Sequence, residues 1–359
     1  MEDNHQNINP DYNDDDLKKD IDSKDLEIVL NSVDELSRKF SENTAEVRKL
    51  AELIQQEKKD KHIERPFEML FIPSRGLFYE NHENYLLLNQ LTYVEESLLT
   101  SEFLVETGKA MQFVLKNILV EQNIKPEQLL TGDVQAIGLF LRSFAYGDKL
   151  DIELDCQHCG FKEEIPIRLS SFQMKDLVVP PENGLIPMLL DGTQLLFMFK
   201  PLTYFEEVGM TKSGLGSIDK IIYMTQSING CEDKNVISKV IKKLSLSEIR
   251  RLKKFLEKAI PGVDANVKHT CSSCGKHNVY NFGGAHSFLS FPPSFRENIN
   301  EECFLVSYYG KNISHESVKK MSVTERRWLL NRINEELTKK KEAEEKAMRQ
   351  AKSKSGRKR

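Results

Sequence analysis

The chain has 359 residues, enough for two domains or for one domain with appendages. Charged residues make up 30%, and the longest apolar runs, such as residues 195–199, are far too short to cross a bilayer, so no transmembrane span and no membrane partner are expected. The formal net charge of −4 hides an uneven distribution: acidic residues crowd the first 25 positions and basic ones the last twenty or so.

Residues 1–25, with Asp14, Asp15, Asp16, Asp20, Asp22 and Asp25, read as a disordered acidic tail. Over residues 26–57, Leu26, Val29, Val33, Leu36, Phe40, Val47, Leu50 and Ile54 recur in alternating steps of three and four, with Asn43 in one core slot. This spacing predicts a coiled-coil-like helix able to self-associate, or else one amphipathic helix lying on its own domain. A charged linker, residues 57–61, follows it.

The chain then changes character. Residues 66–73 form an extended apolar run, Pro73 and Gly76 force a turn, and Phe78 and Tyr79 are expected to re-enter a packed surface. Helices are predicted over residues 95–100, 103–120 and 134–145, with Asp133 a candidate N-cap for the third. Arg142 late in that helix is a candidate partner for Asp133 or Asp148.

Next comes Cys156-Gln-His-Cys159-Gly160, and more than a hundred residues later Cys271-Ser-Ser-Cys274-Gly275. Two residues between cysteines let one tight turn aim both sulfurs at a single point, and the glycine supplies the positive φ the turn needs. Leu150, Ile152 and Leu154 alternate with polar residues before the first pair, and Ile165, Ile167 and Leu169 after it, which predicts a hairpin with the turn at its tip. Val267 and the run Val279, Tyr280, Phe282 flank the second pair. Two such turns facing each other make a four-thiolate cage, the usual closed structural zinc site, so Cys156, Cys159, Cys271 and Cys274 are the predicted ligands of a structural Zn2+. Disulfides or a redox pair are the alternatives. No signal peptide is evident, so a reducing compartment is expected, and the duplication of the turn favours a metal over redox chemistry. His158 or His269 could replace one thiolate; Cys231 and Cys303 lack paired spacing and read as buried thiols or surface bystanders.

Between the pairs, residues 177–201 read as strands with a turn at Asp191-Gly192, followed by helices over 204–210, 217–227, 233–244 and 245–259, the last opened by a Ser245/Glu248 capping box. Gly283-Gly284 and Pro292-Pro293 mark a loop, and a final helical region covers 314 to about 348. A basic tail, residues 338–359, reads as disordered or as a solvated helix end. The fold class is therefore α+β, mostly helical, with a split zinc-ribbon-type element and the coiled-coil-like leader.

No H-E-x-x-H, G-x-S-x-G or complete P-loop is present, and a four-cysteine zinc has no open position with which to activate water, so no enzyme activity is expected. A zinc-ribbon protein that binds nucleic acid or assists transcription is the competing class. Lys162, Lys268 and Lys276 near the cysteines are offset by Asp151, Glu153, Asp155, Glu163 and Glu164, so a phosphate-tracking stripe is missing there.

An ordered series of blocks resembles the baseplate hub and hub-assembly proteins of T-even-like contractile-tailed bacteriophages. The blocks are Pro73-Ser-Arg75-Gly-Leu-Phe-Tyr79; Leu91-Thr92 and Glu95-Glu96 before Leu98-Leu99; Asp133, then Leu141-Arg142-Ser143 and Tyr146-Gly147 ahead of the first cysteine pair; and Glu325-Arg326-Arg327-Trp328. The likeness spans roughly residues 66–337. It implies a non-enzymatic structural or assembly component, in the host cytoplasm during assembly and in the virion baseplate, docking on other hub proteins; an assembly chaperone that never enters the particle is nearly indistinguishable from it. In that frame residues 61–150 form the helical first part of the domain. Residues 151–337 carry the cysteine hairpins, an inserted segment and the C-terminal helix. Arg75, Tyr79, Arg326, Arg327 and Trp328 are candidate partner contacts, Trp328 being equally readable as core beside Leu329 and Leu330.

Overall fold

The computed structural model describes residues 65–120, 124–282, 287–292 and 294–356. The expected leader helix at 26–57, the acidic stretch before it and the Gly283-Gly284 loop lie outside the described residues. The architecture mixes α and β: eleven α-helices and eleven strands among the described residues. Among the described residues, those from 65 to 176 and from 261 onward form one compact unit, and residues 177–260 form another.

In the first unit, β1 (Phe67–Phe71) and β2 (Tyr85–Asn89) pair antiparallel, and Leu70, Leu86 and Leu88 point into the core. The link between them turns at Arg75 and Gly76, with φ of 53° and 74°. A Cβ on Gly76 would fall 2.4 Å from the Glu83 carbonyl oxygen, so this position tolerates only glycine. Helix α1 (Tyr93–Leu99) starts on a capping box, Thr92 with Glu95. The single helix expected over 103–120 is instead two, α2 (Glu102–Glu106) and α3 (Ala110–Ile118). Gly108 adopts φ 65°, the Lys109 amide closes onto the Leu104 carbonyl at 2.8 Å, and the Thr107 hydroxyl donates back to Phe103 at 2.7 Å. A left-handed glycine with these bonds ends a helix whatever the apolar spacing around it.

Helix α4 (Thr131–Tyr146) buries Val134, Ile137 and Leu141, and ends at Gly147, φ 89°. Leu130, not Asp133, is its N-cap. Asp133 sits inside the first turn, fully buried, and its carboxylate accepts from the Ser74 amide (3.0 Å) and the Tyr79 hydroxyl (2.5 Å); that hydroxyl accepts in turn from the Leu130 amide (3.0 Å). The expected capping role thus gives way to a tether that holds the 73–79 turn against α4. Arg142 meets neither aspartate. Its guanidinium lies 4.8 Å from the ring centroids of Tyr146 and Phe291, a cation–π arrangement.

Burial raises the Asp133 pKa from 3.8 to about 6, against the pull of the Tyr79 and Ser74 hydrogen bonds. A carboxyl whose folded pKa lies above its unfolded value stabilises fully below the unfolded pKa and loses that contribution as pH rises through the folded one. The loss here is on the order of 3 kcal/mol at 1.36 kcal/mol per unit. Asp133→Asn should remove this slope. Denaturant midpoints measured from pH 4 to 8 should show wild type falling relative to the variant up to about pH 7, with the two curves parallel above it.

From α4 the chain passes into β3 (Lys149–Asp155), β4 (Lys162–Arg168) and the short β5 (Gln173–Met174). It then enters the second unit, a three-stranded sheet ordered β6 (Ile186–Leu189), β7 (Leu196–Phe199), β8 (Thr225–Ile228), with Phe197 and Phe199 of the central strand fully buried. Gly192, φ 77°, lies in the β6–β7 turn as the sequence predicts. Helix α5 (Tyr204–Lys212) precedes α6 (Ser217–Met224), which stops three residues short of expectation. Its expected last turn, from Thr225, pairs with β7 instead, because ladder bonds to an existing strand outweigh weak helix propensity. Helices α7 (Lys234–Lys242) and α8 (Leu246–Ala259) follow, α8 opening on the predicted Ser245/Glu248 capping box.

Back in the first unit, β9 (Val263–Asp264) pairs with β5, and β10 (Asn266–Thr270) with β11 (His277–Asn281). Gly132 lets the Pro261 backbone approach α4; a Cβ there would sit 1.9 Å from the Pro261 carbonyl oxygen. Helix α9 (Phe295–Tyr309) has no counterpart among the sequence expectations. Its buried Ile299, Cys303 and Val306 follow helical spacing, but charged and polar neighbours dilute the pattern. Helix α10 (His315–Lys320) and α11 (Val323–Gly356) complete the unit, α11 extending beyond the expected end into the basic stretch. Cys303, Val306 and Val318 form a core cluster against Tyr93, Leu329 and Leu330.

Candidate metal centre

The hairpin β3–β4 runs in register from Lys149 opposite Arg168 to Asp155 opposite Lys162, which leaves residues 156–161 as its tip. There the Cys156 amide donates to the Phe161 carbonyl (2.9 Å), the Gly160 amide to the Cys156 carbonyl (2.9 Å), and Gly160 adopts φ 69°. The β10–β11 tip repeats this geometry: Cys271 to Lys276 (3.0 Å), Gly275 to Cys271 (2.9 Å), Gly275 at φ 69°. The same local chemistry therefore builds both knuckles, each from its own six residues.

The fold brings the two tips together. Sγ of Cys156 lies 3.7 Å from Sγ of Cys274, Cys159 lies 3.7 Å from Cys271, and all four sulfurs fall within 4.8 Å of one another. Four thiolates about 2.3 Å from a tetrahedral ion stand about 3.8 Å apart, so the donor set fits one such ion. The paired sulfurs are too distant for a disulfide bond of about 2.05 Å, and all four are free thiols. Cys156 and Cys271 are buried, Cys159 and Cys274 exposed, so the cage opens at the surface on one side.

The thiols are not equivalent. The His158 amide, donating to Cys156 Sγ at 3.4 Å, pulls that thiol down to about 6. For Cys159 the Phe161 amide acts in the same direction, but desolvation and the neighbouring sulfurs prevail and push it up to about 12. A bound cation would replace this mutual repulsion with attraction.

A second layer laces the hairpins together. Buried Asn278 donates to Cys156 Sγ (3.5 Å) and to the Lys276 carbonyl (3.1 Å), and accepts from the Gln157 amide (3.1 Å). Glu163 of β4 accepts from the Ser272 amide (3.3 Å) and meets His269 Nε2 (3.0 Å), contacts that hold its carboxyl below the usual range. Tyr280 donates to the Asp155 carbonyl at 3.0 Å. His269 is thus engaged by Glu163, and neither His269 nor His158 joins the four sulfurs. Asn278 and Glu163 carry no sequence signal, since only the meeting of the tips gives them a role. Of the remaining cysteines, Cys231 is exposed and Cys303 buried.

The five residues expected at a partner surface separate. Tyr79 is buried on Asp133. Arg326 is fully buried: its Nη2 reaches Glu96 at 2.8 Å and Glu302 at 3.0 Å, and its Nε donates to Glu302 at 3.1 Å. Both are corrected from contact residues to internal struts, because their polar ends are consumed inside the chain. Arg75 is exposed, 3.8 Å from Asp176, and Arg327 lies over the Tyr146 ring at 5.1 Å. Trp328 is 63% exposed, while Leu329 and Leu330 take the core position beside it.

Glu95 and Glu96, adjacent and fully buried, serve two directions. Glu95 caps α1 through Thr92 and accepts from Arg65 (2.8 Å) and Asn117. Glu96 takes Arg326 and the Tyr146 hydroxyl (2.5 Å). Burial pushes the Glu96 carboxyl up against the pull of Arg326. Burial also opposes the Arg326 charge, but Glu96 and Glu302 outweigh it and raise the guanidinium pKa.

A family model described as T4 bacteriophage base plate protein matches residues 87–290. Neither the curated proteins nor the solved structures include a match to the chain.

Proposed function

The chain belongs to the T4 bacteriophage base plate protein family, whose members are structural parts of the phage baseplate, and from this membership we propose a non-enzymatic hub component that docks on other baseplate proteins through a zinc-stapled frame. The family supports the baseplate setting and contacts with other baseplate proteins. The hub position, the zinc and the docking residues are the finer reading. In it Cys156, Cys159, Cys271 and Cys274 hold one structural Zn2+, Asn278 and the His158 amide orient the Cys156 thiolate, and the closed ligand set leaves no position for a substrate. Assembly takes place in the host cytoplasm, and self-association through residues 26–57 adds a second contact.

The observation that carries the docking reading is the exposed indole of Trp328, displayed two residues after the wholly buried Arg326. That strut anchors one side of α11 and turns the next side outward, since two helical residues differ by about 200°. Tyr308 and Phe304 on α9, 68% and 51% exposed and stacked at 5.5 Å, add aromatic surface in the same unit. Tryptophan and tyrosine anchors dominate binding energy at interfaces. Trp328→Ala should weaken recovery of hub proteins from infected lysate at least about tenfold while shifting the melting temperature little, since exposed positions contribute within about 0.5 kcal/mol to folding. Unchanged recovery would remove Trp328 from the interface. Mass spectrometry of purified virions separates a resident component from an assembly chaperone, which would be missing from particles.

A further inference from the structure

The second unit carries a cationic face that the baseplate reading does not use. Residues 233–259 hold nine basic and three acidic residues, a net +6, whereas the rest of that unit is acidic in balance. The buried stripes of α7 and α8, Ile237 and Ile241 on one and Ile249, Leu252 and Leu256 on the other, fix which sides face outward. On α8, Arg250, Lys254 and Lys258 recur every four residues along the exposed side; Lys239 of α7 and Lys243, the C-cap of that helix, are exposed with the same spacing. Among the described residues none of these five is held in an ion pair. Glu257 is the one carboxylate on the outer side of α8.

The chain also holds a complementary occupant. Residues 1–25 contain nine acidic and three basic residues, a net −6, with Asp14, Asp15 and Asp16 contiguous. We propose that this acidic segment docks on the outer faces of α7 and α8 of its own chain, masking a surface that would otherwise attract polyanions. Charge balance favours it over nucleic acid as occupant: the net −6 of the segment cancels the net +6 of the face, and the two are carried by the same chain. Contacts of this type are exposed and therefore screened, which makes the docking reversible and salt-dependent.

Zero-length carboxyl-to-amine cross-linking of the full-length protein, read by mass spectrometry, tests it. Links from Asp14–Asp25 to Lys239, Lys243, Lys254 or Lys258 should appear in monomer-sized species at low salt and vanish at 1 M salt. A full-length variant with Asp14, Asp15, Asp16, Asp20, Asp22 and Asp25 all changed to Asn should bind a heparin oligosaccharide about tenfold more tightly than wild type at low salt. Adding Lys239→Glu, Arg250→Glu and Lys254→Glu should abolish that gain. Equal heparin binding by wild type and the Asn variant would overturn the proposal. So would links confined to dimer-sized species, which would make a second copy the occupant, or tight binding of mixed-sequence duplex DNA by wild type itself, which would show the face already open.

Discussion

Replacing Cys156 and Cys274 with serine should release bound metal and lower the stability of the cysteine-bearing unit by several kcal/mol. The two substitutions take one sulfur from each tip and both members of a 3.7 Å pair, so the two remaining thiols cannot complete a tetrahedral set. The two turns are 112 to 118 residues apart in sequence. A cross-link closing a loop of that length restricts the unfolded chain by roughly 4–5 kcal/mol on the closure-entropy estimate, and metal that binds only the folded state adds a concentration-dependent term. Elemental analysis should find about one zinc per wild-type chain and essentially none in the variant, and the denaturant midpoint should fall. Because the ligating thiols must lose protons, acidification should release the metal from wild type in the same way. A metal-free wild type, or a variant that melts with it, would remove the staple and leave the two hairpins held by Asn278, Glu163 and Tyr280 alone.

Arg326→Met should destabilise the same unit by about 3–5 kcal/mol, the cost of leaving a buried carboxylate without its partner. The guanidinium joins α1 to α11 across 230 residues of sequence and to α9 through Glu302. Without it Glu96 keeps only the Tyr146 hydroxyl, and its carboxyl, already raised by burial, rises further. With the folded pKa above the unfolded one, the penalty is smallest at low pH and grows as pH rises through the folded value. Urea titrations should therefore show the deficit of Arg326→Met shrinking on acidification, and Glu96→Gln in the same chain should recover part of it, since neutralising both partners avoids a lone buried charge. A variant that keeps wild-type stability but loses its baseplate partners would instead return Arg326 to the interface.

Local features are legible in the amino-acid order alone. The Ser245/Glu248 capping box, the turn at Asp191-Gly192 and the hairpin around Cys156 each depend on a few consecutive residues, and each forms as expected. The features that escape such a reading share a cause. Helix α9 hides its stripe of Ile299, Cys303 and Val306 among charges that are harmless on its exposed side. The expected long helix breaks at Gly108 because a left-handed cap overrides the periodicity of its apolar neighbours. Thr225 leaves α6 for the sheet because a strand is waiting there. Asp133 has the position of a cap, since a carboxylate beside a helix start usually is one; the arrival of Tyr79 and Ser74 from more than fifty residues upstream makes it a buried acceptor.

The two metal-type knuckles, most helix and hairpin positions, and the order of blocks that marks the family are written in the residues themselves, because backbone sterics, capping bonds and turn glycines act within a handful of positions. Only the folded chain brings four sulfurs into one small volume, turns Arg326 and Tyr79 inward and leaves Trp328 facing out. Those outcomes hang on burial, and burial of any one side chain is set by what packs over it from far along the chain.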